Sequence, residues 1–306
     1  MYSSIQNTLS PLLLAGARGN RVTLWVWNGE HAQARETYRL HAKQINALCV
    51  LDAGTMASGG EEKALHLWER QGGSTQWIQQ FPFPITALAW SSTGVLAVAS
   101  GKNIFLVKRN GLPFQWVSHR GLVTSVAWSP EGKLLATGSK DGLQIWTWFT
   151  ATGVARLWKE VDMSVASLAW SPDGLLAGEY RPRGMARILM FHRDIERPHT
   201  YAAHVSVVEA LAWSPDSTRI ASAGSSMLRV WDQTSRECLW TGECPEISSL
   251  AWSPNGIWLA TNSRQGVQIW ESGTGLLWMT LPPDRQDDLP GPVVWVGSSS
   301  TIDTYE

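Results

Sequence analysis

A chain of 306 residues with 25 Lys plus Arg against 26 Asp plus Glu carries a formal charge of -1, so no global field draws it to nucleic acid or anionic lipid. The hydrophobic fraction of 44% is that of an ordinary globular protein, and no apolar run approaches the roughly 20 residues of a membrane-spanning helix. The polar start shows no basic segment leading into an apolar one. The three cysteines cannot build a disulfide framework, which fits a reducing compartment and leads us to expect a cytoplasmic protein.

Taken in chain order, the first predicted elements are strands over Leu12 to Ala17, Arg21 to Trp27 and Arg35 to Leu40. No convincing strand precedes them. A repeating unit then begins, anchored by Ala47-Leu48-Cys49-Val50 and by Leu88-Ala89-Trp90-Ser91, and most clearly by Val126-Ala127-Trp128-Ser129-Pro130. Equivalent runs end on Trp170, Trp213 and Trp252, and the spacings between the tryptophans are 38, 42, 43 and 39 residues. Val50 lies 40 residues before Trp90 and Trp295 lies 43 after Trp252, which completes seven copies.

The best-formed copy shows the grammar of one unit. Val123 to Ser129 is a strand and Pro130-Glu131-Gly132 a turn. Leu134 to Ser139 is the second strand, Lys140-Asp141-Gly142 a tight turn, and Leu143 to Trp148 the third strand. A fourth strand follows Ala151-Thr152-Gly153, and most fourth strands carry an aromatic 12 residues before the next anchor, as Tyr38, Trp116, Trp158, Tyr201 and Trp240 do. A four-stranded antiparallel sheet of this size cannot bury both faces alone, so the copies must stack, and a closed stack leaves no bare end. The 19 tryptophans are therefore expected to be mostly core, filling the spaces between sheets.

The chain ends with a single predicted strand, Pro292 to Gly297, and begins with three that lack a first. The economical reading is one all-β domain over 1–306, a seven-bladed β-propeller of four-stranded antiparallel blades. Its last blade is shared between the N- and C-terminal strands. Residues 298–306 could equally add a strand, at Thr301 to Tyr305, or fray.

These residues resemble the WD40 family, and in particular its bacterial versions with a Ser-Pro-Asp-Gly turn, as at Ser171-Pro172-Asp173-Gly174. The resemblance implies a hydrogen-bonded set that staples each sheet, here His119, Thr137 or Ser139, Asp141 and Trp146. His41, His119 and His204 all stand nine residues before their anchors, which suits that structural role. Departures are Ser226 and Gln265 where Asp is expected, and Phe191 in place of the third-strand tryptophan. The literal Trp-Asp pair occurs only at Trp231-Asp232.

No His-Glu-x-x-His, Gly-x-Ser-x-Gly or nucleotide-binding glycine motif is present, so no catalytic residues, cofactor or metal ligands are assigned and the chain is not expected to be an enzyme. Cys238 and Cys244 make poor zinc grammar. The resemblance implies binding of protein partners on the face that carries the turns from second to third strand and the loops from fourth strand to the next first, and the balanced charge and lack of a spanning apolar run lead us to expect no membrane or nucleic acid among them. Among those loops, which also hold Arg18, Arg21, Glu62 and Asp284 to Asp288, the contact residues expected are Tyr180, Arg181, Arg183 and Arg187 in the fourth copy's insertion, Phe81 and Phe83 flanking Pro82, Arg120, and Lys140. Two other readings stay open: an enzyme or small-molecule binder that uses the central channel, and a docking or sensor module of a longer polypeptide.

Overall fold

In a computed structural model the described residues are 11–298 without 53, 71–72, 109–112, 150–153, 162–163, 181–185, 192–198, 205–206, 225 and 286. They form 28 strands and no helix, arranged as seven antiparallel sheets of four strands. The chain is a seven-bladed β-propeller. We number the blades from the first complete one, so that blade 1 comprises Ile45–Val50, Thr55–Gly60, Ala64–Glu69 and Thr75–Gln80. Blades 2 to 6 begin with Ile85–Trp90, Val123–Trp128, Leu168–Trp170, Ala210–Trp213 and Ser249–Trp252.

Blade 7 is composite. Pro290–Ser298 supplies its first strand and pairs antiparallel with Leu12–Arg18, which continues into Arg21–Trp27 and Ala32–Tyr38. The pairing sets Leu14 opposite Trp295 and Ala15 opposite Val294. Two otherwise open strand edges are thereby covered, and the ring closes through backbone hydrogen bonds.

Successive first strands touch one another around the whole ring, including that of blade 7 against that of blade 1. Buried apolar residues fall into seven clusters, and each draws on two adjacent blades. Between blades 5 and 6, for example, Ala221, Leu228 and Val230 meet Ile247, Leu250, Trp252 and Leu259. Burial thus happens between sheets, as the size of a single sheet requires.

Tryptophan contributes both area and direction to these interfaces. Trp170, Trp213, Trp252 and Trp295 each donate the indole N–H to the carbonyl oxygen of Ala127, Ala169, Ala212 and Ala251 respectively, at 3.1 Å in every case. Each bond runs from one blade's first strand to that of the blade before. Where a serine follows the anchor tryptophan it closes the next turn, as Ser129 Oγ accepts from the amide of Leu134 and Ser171 Oγ from that of Leu175. Gly132 and Gly174 adopt φ of 68° and 92° in those turns, a left-handed conformation that glycine enters without a Cβ penalty. Of the fourth-strand aromatics, Tyr38, Trp77 and Trp240 pack against the core, but two others do not. Trp158 and Trp278 are 49% and 44% exposed, because the outermost strand has no further strand beside it.

Candidate protein-interaction face

Antiparallel order inside each blade places the turn between second and third strands at the same end as the loop from the fourth strand to the next first strand. Backbone hydrogen bonds knit the two sets together across blade boundaries: Ile45 N donates to Gly19 O, His119 N to Lys102 O, and Val123 N to Gly101 O. The result is one continuous loop-bearing face.

Under this face, blades 1, 3 and 5 share a buried polar hub. A hydroxyl on the second strand receives the third-strand indole N–H and hydrogen-bonds a histidine from the preceding loop. In blade 3, Thr137 Oγ1 lies 2.7 Å from His119 Nε2 and 3.1 Å from Trp146 Nε1. Blade 5 uses Ser222 with His204 at 2.9 Å and Trp231 at 2.9 Å, and blade 1 uses Ser58 with His41 at 2.8 Å and Trp68 at 3.2 Å. Burial lowers the His119 pKa, against the opposing fields of Glu160 and Asp141. His204 is pulled down to about 4 by burial and by the neighbouring Arg229. These imidazoles are neutral near pH 7. The Asp141 carboxylate lies against Gly121 at the mouth of the blade 3 hub, and Ser139 Oγ accepts from the amides of Asp141 and Gly142 to shape the turn.

Above blade 3 opens a cavity of about 310 Å³ lined by His119, Arg120, Asp141, Gly142, Gln144 and Glu160. Gln144 spans it to Glu160 Oε1 at 2.9 Å, and the His119 Nε2 atom is committed to Thr137.

The expected contact residues divide when placed on this frame. Arg120 and Lys140 are exposed on the loop face. Phe83 is 47% exposed, but Phe81 is buried and must be corrected: it stands nine residues before Trp90, in the register where blades 1, 3 and 5 carry histidine, and packs edge-on against Phe105 at 5.1 Å. An aromatic pair there takes the place of the polar hub. Tyr180 closes the hairpin, because Leu176–Tyr180 and Ala186–Phe191 pair up to the rung Tyr180 to Arg187, and it is half-buried against the blade 3 to blade 4 core. Arg187 is half-buried on the same rung, and Arg181 and Arg183 lie outside the described residues.

Arg18 and Arg21 are likewise spent internally. Arg18 is buried and donates to Asn262 Oδ1 at 3.0 Å, to the Ser263 carbonyl and to the Asp288 carbonyl, while Arg21 forms an ion pair with Asp288. The face also exposes large apolar side chains. Leu122 and Leu289, each directly before a first strand, are 62% and 55% exposed and join Phe83 around the inner ends of the loops.

The sequence comparisons agree with this geometry. The family described as "WD40: WD domain, G-beta repeat" matches residues 112–143, 195–232 and 236–271. The chain is a WD40-repeat propeller. The APC/C activator protein CDH1 of Saccharomyces cerevisiae is 30% identical over 166 residues, covering 52% of this chain and 28% of that protein. The transcriptional corepressor LEUNIG_HOMOLOG of Arabidopsis thaliana is 26% identical over 208 residues, covering 66% and 24%. Actin-interacting protein 1 of Caenorhabditis elegans is 29% identical over 113 residues, covering 31% and 18%. This WD40 propeller therefore spans less than a third of the length of each of these relatives. They are yeast, plant and nematode proteins, and lend no support to the narrower likeness to bacterial members.

Sequence reasoning missed one constellation of the WD40 propeller. His41, Glu62 and His66 come together in blade 1, with Glu62 Oε1 2.6 Å from His41 Nδ1 and 2.9 Å from His66 Nε2. Only the four-residue step from Glu62 to His66 across a tight turn, set beside the His41 register, could have signalled it.

Proposed function

We propose that this chain is a non-catalytic scaffold that docks protein partners on its loop-bearing face, in the cytoplasm. The observation that carries the reading is the trio Phe83, Leu122 and Leu289, large apolar side chains left open to solvent at the ends of loops that a rigid ring holds in place. Arg120 and Lys140 stand on the same face as polar contacts. The relatives are named for an activator, a corepressor and an actin-interacting protein, which are roles defined by other proteins and not by a reaction. Among the described residues no helix is long and apolar enough to cross a membrane.

The test is a comparison of cross-linked partners of the wild-type chain and a Phe83→Ser, Leu122→Ser, Leu289→Ser variant in the native host, read by mass spectrometry. The variant should keep its melting temperature, since all three side chains are exposed, and lose its specific partners by about tenfold or more. Unchanged capture by the variant would sink the proposal.

A further inference from the structure

Blade 1 departs from the other hub-bearing blades at one position. On the third strand, opposite the hub hydroxyl, blades 3 and 5 place Gln144 and Arg229, and blade 6 places Gln268 opposite Thr261, the hydroxyl that receives its Trp270 indole N–H, whereas blade 1 places His66 opposite Ser58. The turn that precedes that strand carries Glu62. Together with His41, whose Nε2 is taken by Ser58, three donor atoms now converge: His41 Nδ1, Glu62 Oε1 and His66 Nε2 lie within 4.8 Å of one another.

The surroundings of these atoms are those of a ligand set. His41 and His66 are 5% and 7% exposed, and their rings sit 4.1 Å apart. His41 Nδ1 is buried and aimed at the cluster, where it meets Glu62 Oε1 at 2.6 Å. The Glu62 carboxylate is anchored through Oε2, which accepts from the Ala42 amide at 2.6 Å. Two imidazoles and an ionised carboxylate enclose negative charge in a largely buried space with no cationic side chain among the three.

We propose that His41, Glu62 and His66 bind a divalent transition-metal ion of the zinc class. Two imidazoles and one carboxylate are a ligand set that Zn²⁺ accepts, with a fourth tetrahedral position left for water or for a donor from a bound partner. Bonds of about 2.0–2.1 Å to a tetrahedral ion separate donors by roughly 3.3 Å. Glu62 therefore retreats by about half an ångström on loading, which a turn residue with 16% side-chain exposure can do. The bound ion would tie the loop before blade 1's first strand to the turn and the third strand of the same blade. The site stands or falls independently of protein docking on the exposed apolar trio.

The full chain, freed of metal by a chelator, would be titrated with Co²⁺ as a spectroscopic probe and with Zn²⁺ by calorimetry. One ion per chain should bind, the Co²⁺ complex should show four-coordinate absorption without a thiolate charge-transfer band, and Zn²⁺ should displace it. His66→Gln installs the residue that blades 3 and 6 already use, so the fold should persist while affinity falls roughly a hundredfold or more. Glu62→Gln provides a second variant with the same expectation. Absence of saturable binding, a thiolate band that points to Cys49, Cys238 or Cys244, or wild-type affinity in both variants would overturn the assignment.

Discussion

The indole nitrogen of Trp295 donates to the backbone oxygen of Ala251, 3.1 Å away, and so joins the closing strand to blade 6 by the same bond that Trp252, Trp213 and Trp170 make to the blades before them. Trp213→Phe keeps most of the buried ring and removes the donor, so it should cost about 1–2 kcal/mol. Trp213→Ala should cost about 3–5 kcal/mol. Trp158→Ala, at a half-exposed site on an outer strand, should cost less than about 1 kcal/mol. Equilibrium urea denaturation checks the order, and an equal loss at Trp158 and Trp213 would contradict the placement of burial between blades.

Truncation after Gly291 removes the buried Val293, Trp295 and Val296 and leaves the Leu12–Arg18 edge unpaired. The melting temperature should fall by more than about 10 °C, or the transition should lose its cooperativity. A synthetic peptide spanning 290–298 added in excess should recover part of the loss. A melting curve that does not move would rule out closure by this strand.

Acid should weaken the ring through its neutral histidines. An unfolded histidine titrates near 6.5, whereas His204 in the fold titrates at about 4. Between those values the unfolded chain takes up a proton that the folded chain refuses. The contribution of His204 to stability is therefore whole above about pH 6.5 and is lost progressively as the pH falls towards 4. His119, shifted in the same direction by burial, adds to the trend. Melting temperatures compared at about pH 7.5 and about pH 5 should fall by less in His204→Gln than in the wild-type chain, and equal falls would argue against this account.

Arg181→Ala with Arg183→Ala tests the fourth blade's insertion separately from the apolar trio. Tyr180 stays in place in that variant, since it packs against the core. Stability should change by less than about 0.5 kcal/mol, and partner capture should weaken if the guanidinium groups contribute to docking. Capture equal to wild type would confine docking to the inner loops.

The fold was legible because its determinants are local and periodic. A Trp-Ser anchor at near-constant spacing marks a strand whose indole must meet the next sheet, and three leading strands with no first, set against one trailing strand, imply the shared blade. The site was less legible because it depends on pairings that spacing does not reveal. Phe81 and Phe83 look equivalent in sequence, yet the hub register draws the first inward and leaves the second out. Tyr180 reads as a loop residue until the hairpin extends by one rung. His66 meets His41 only because the ladder sets it opposite Ser58, and nothing in its immediate sequence announces a ligand.

Because every apolar cluster is owned jointly by two neighbours, no blade has an interior of its own. A single excised sheet would be a wet plank, greasy on both sides, and an arc of several would still end in two sticky walls. Stability is thus a collective property of the circle, so the chemistry inside one blade can differ, as it does where Phe81 stands in the register that holds histidine in blades 1, 3 and 5, while its neighbours hold it in position.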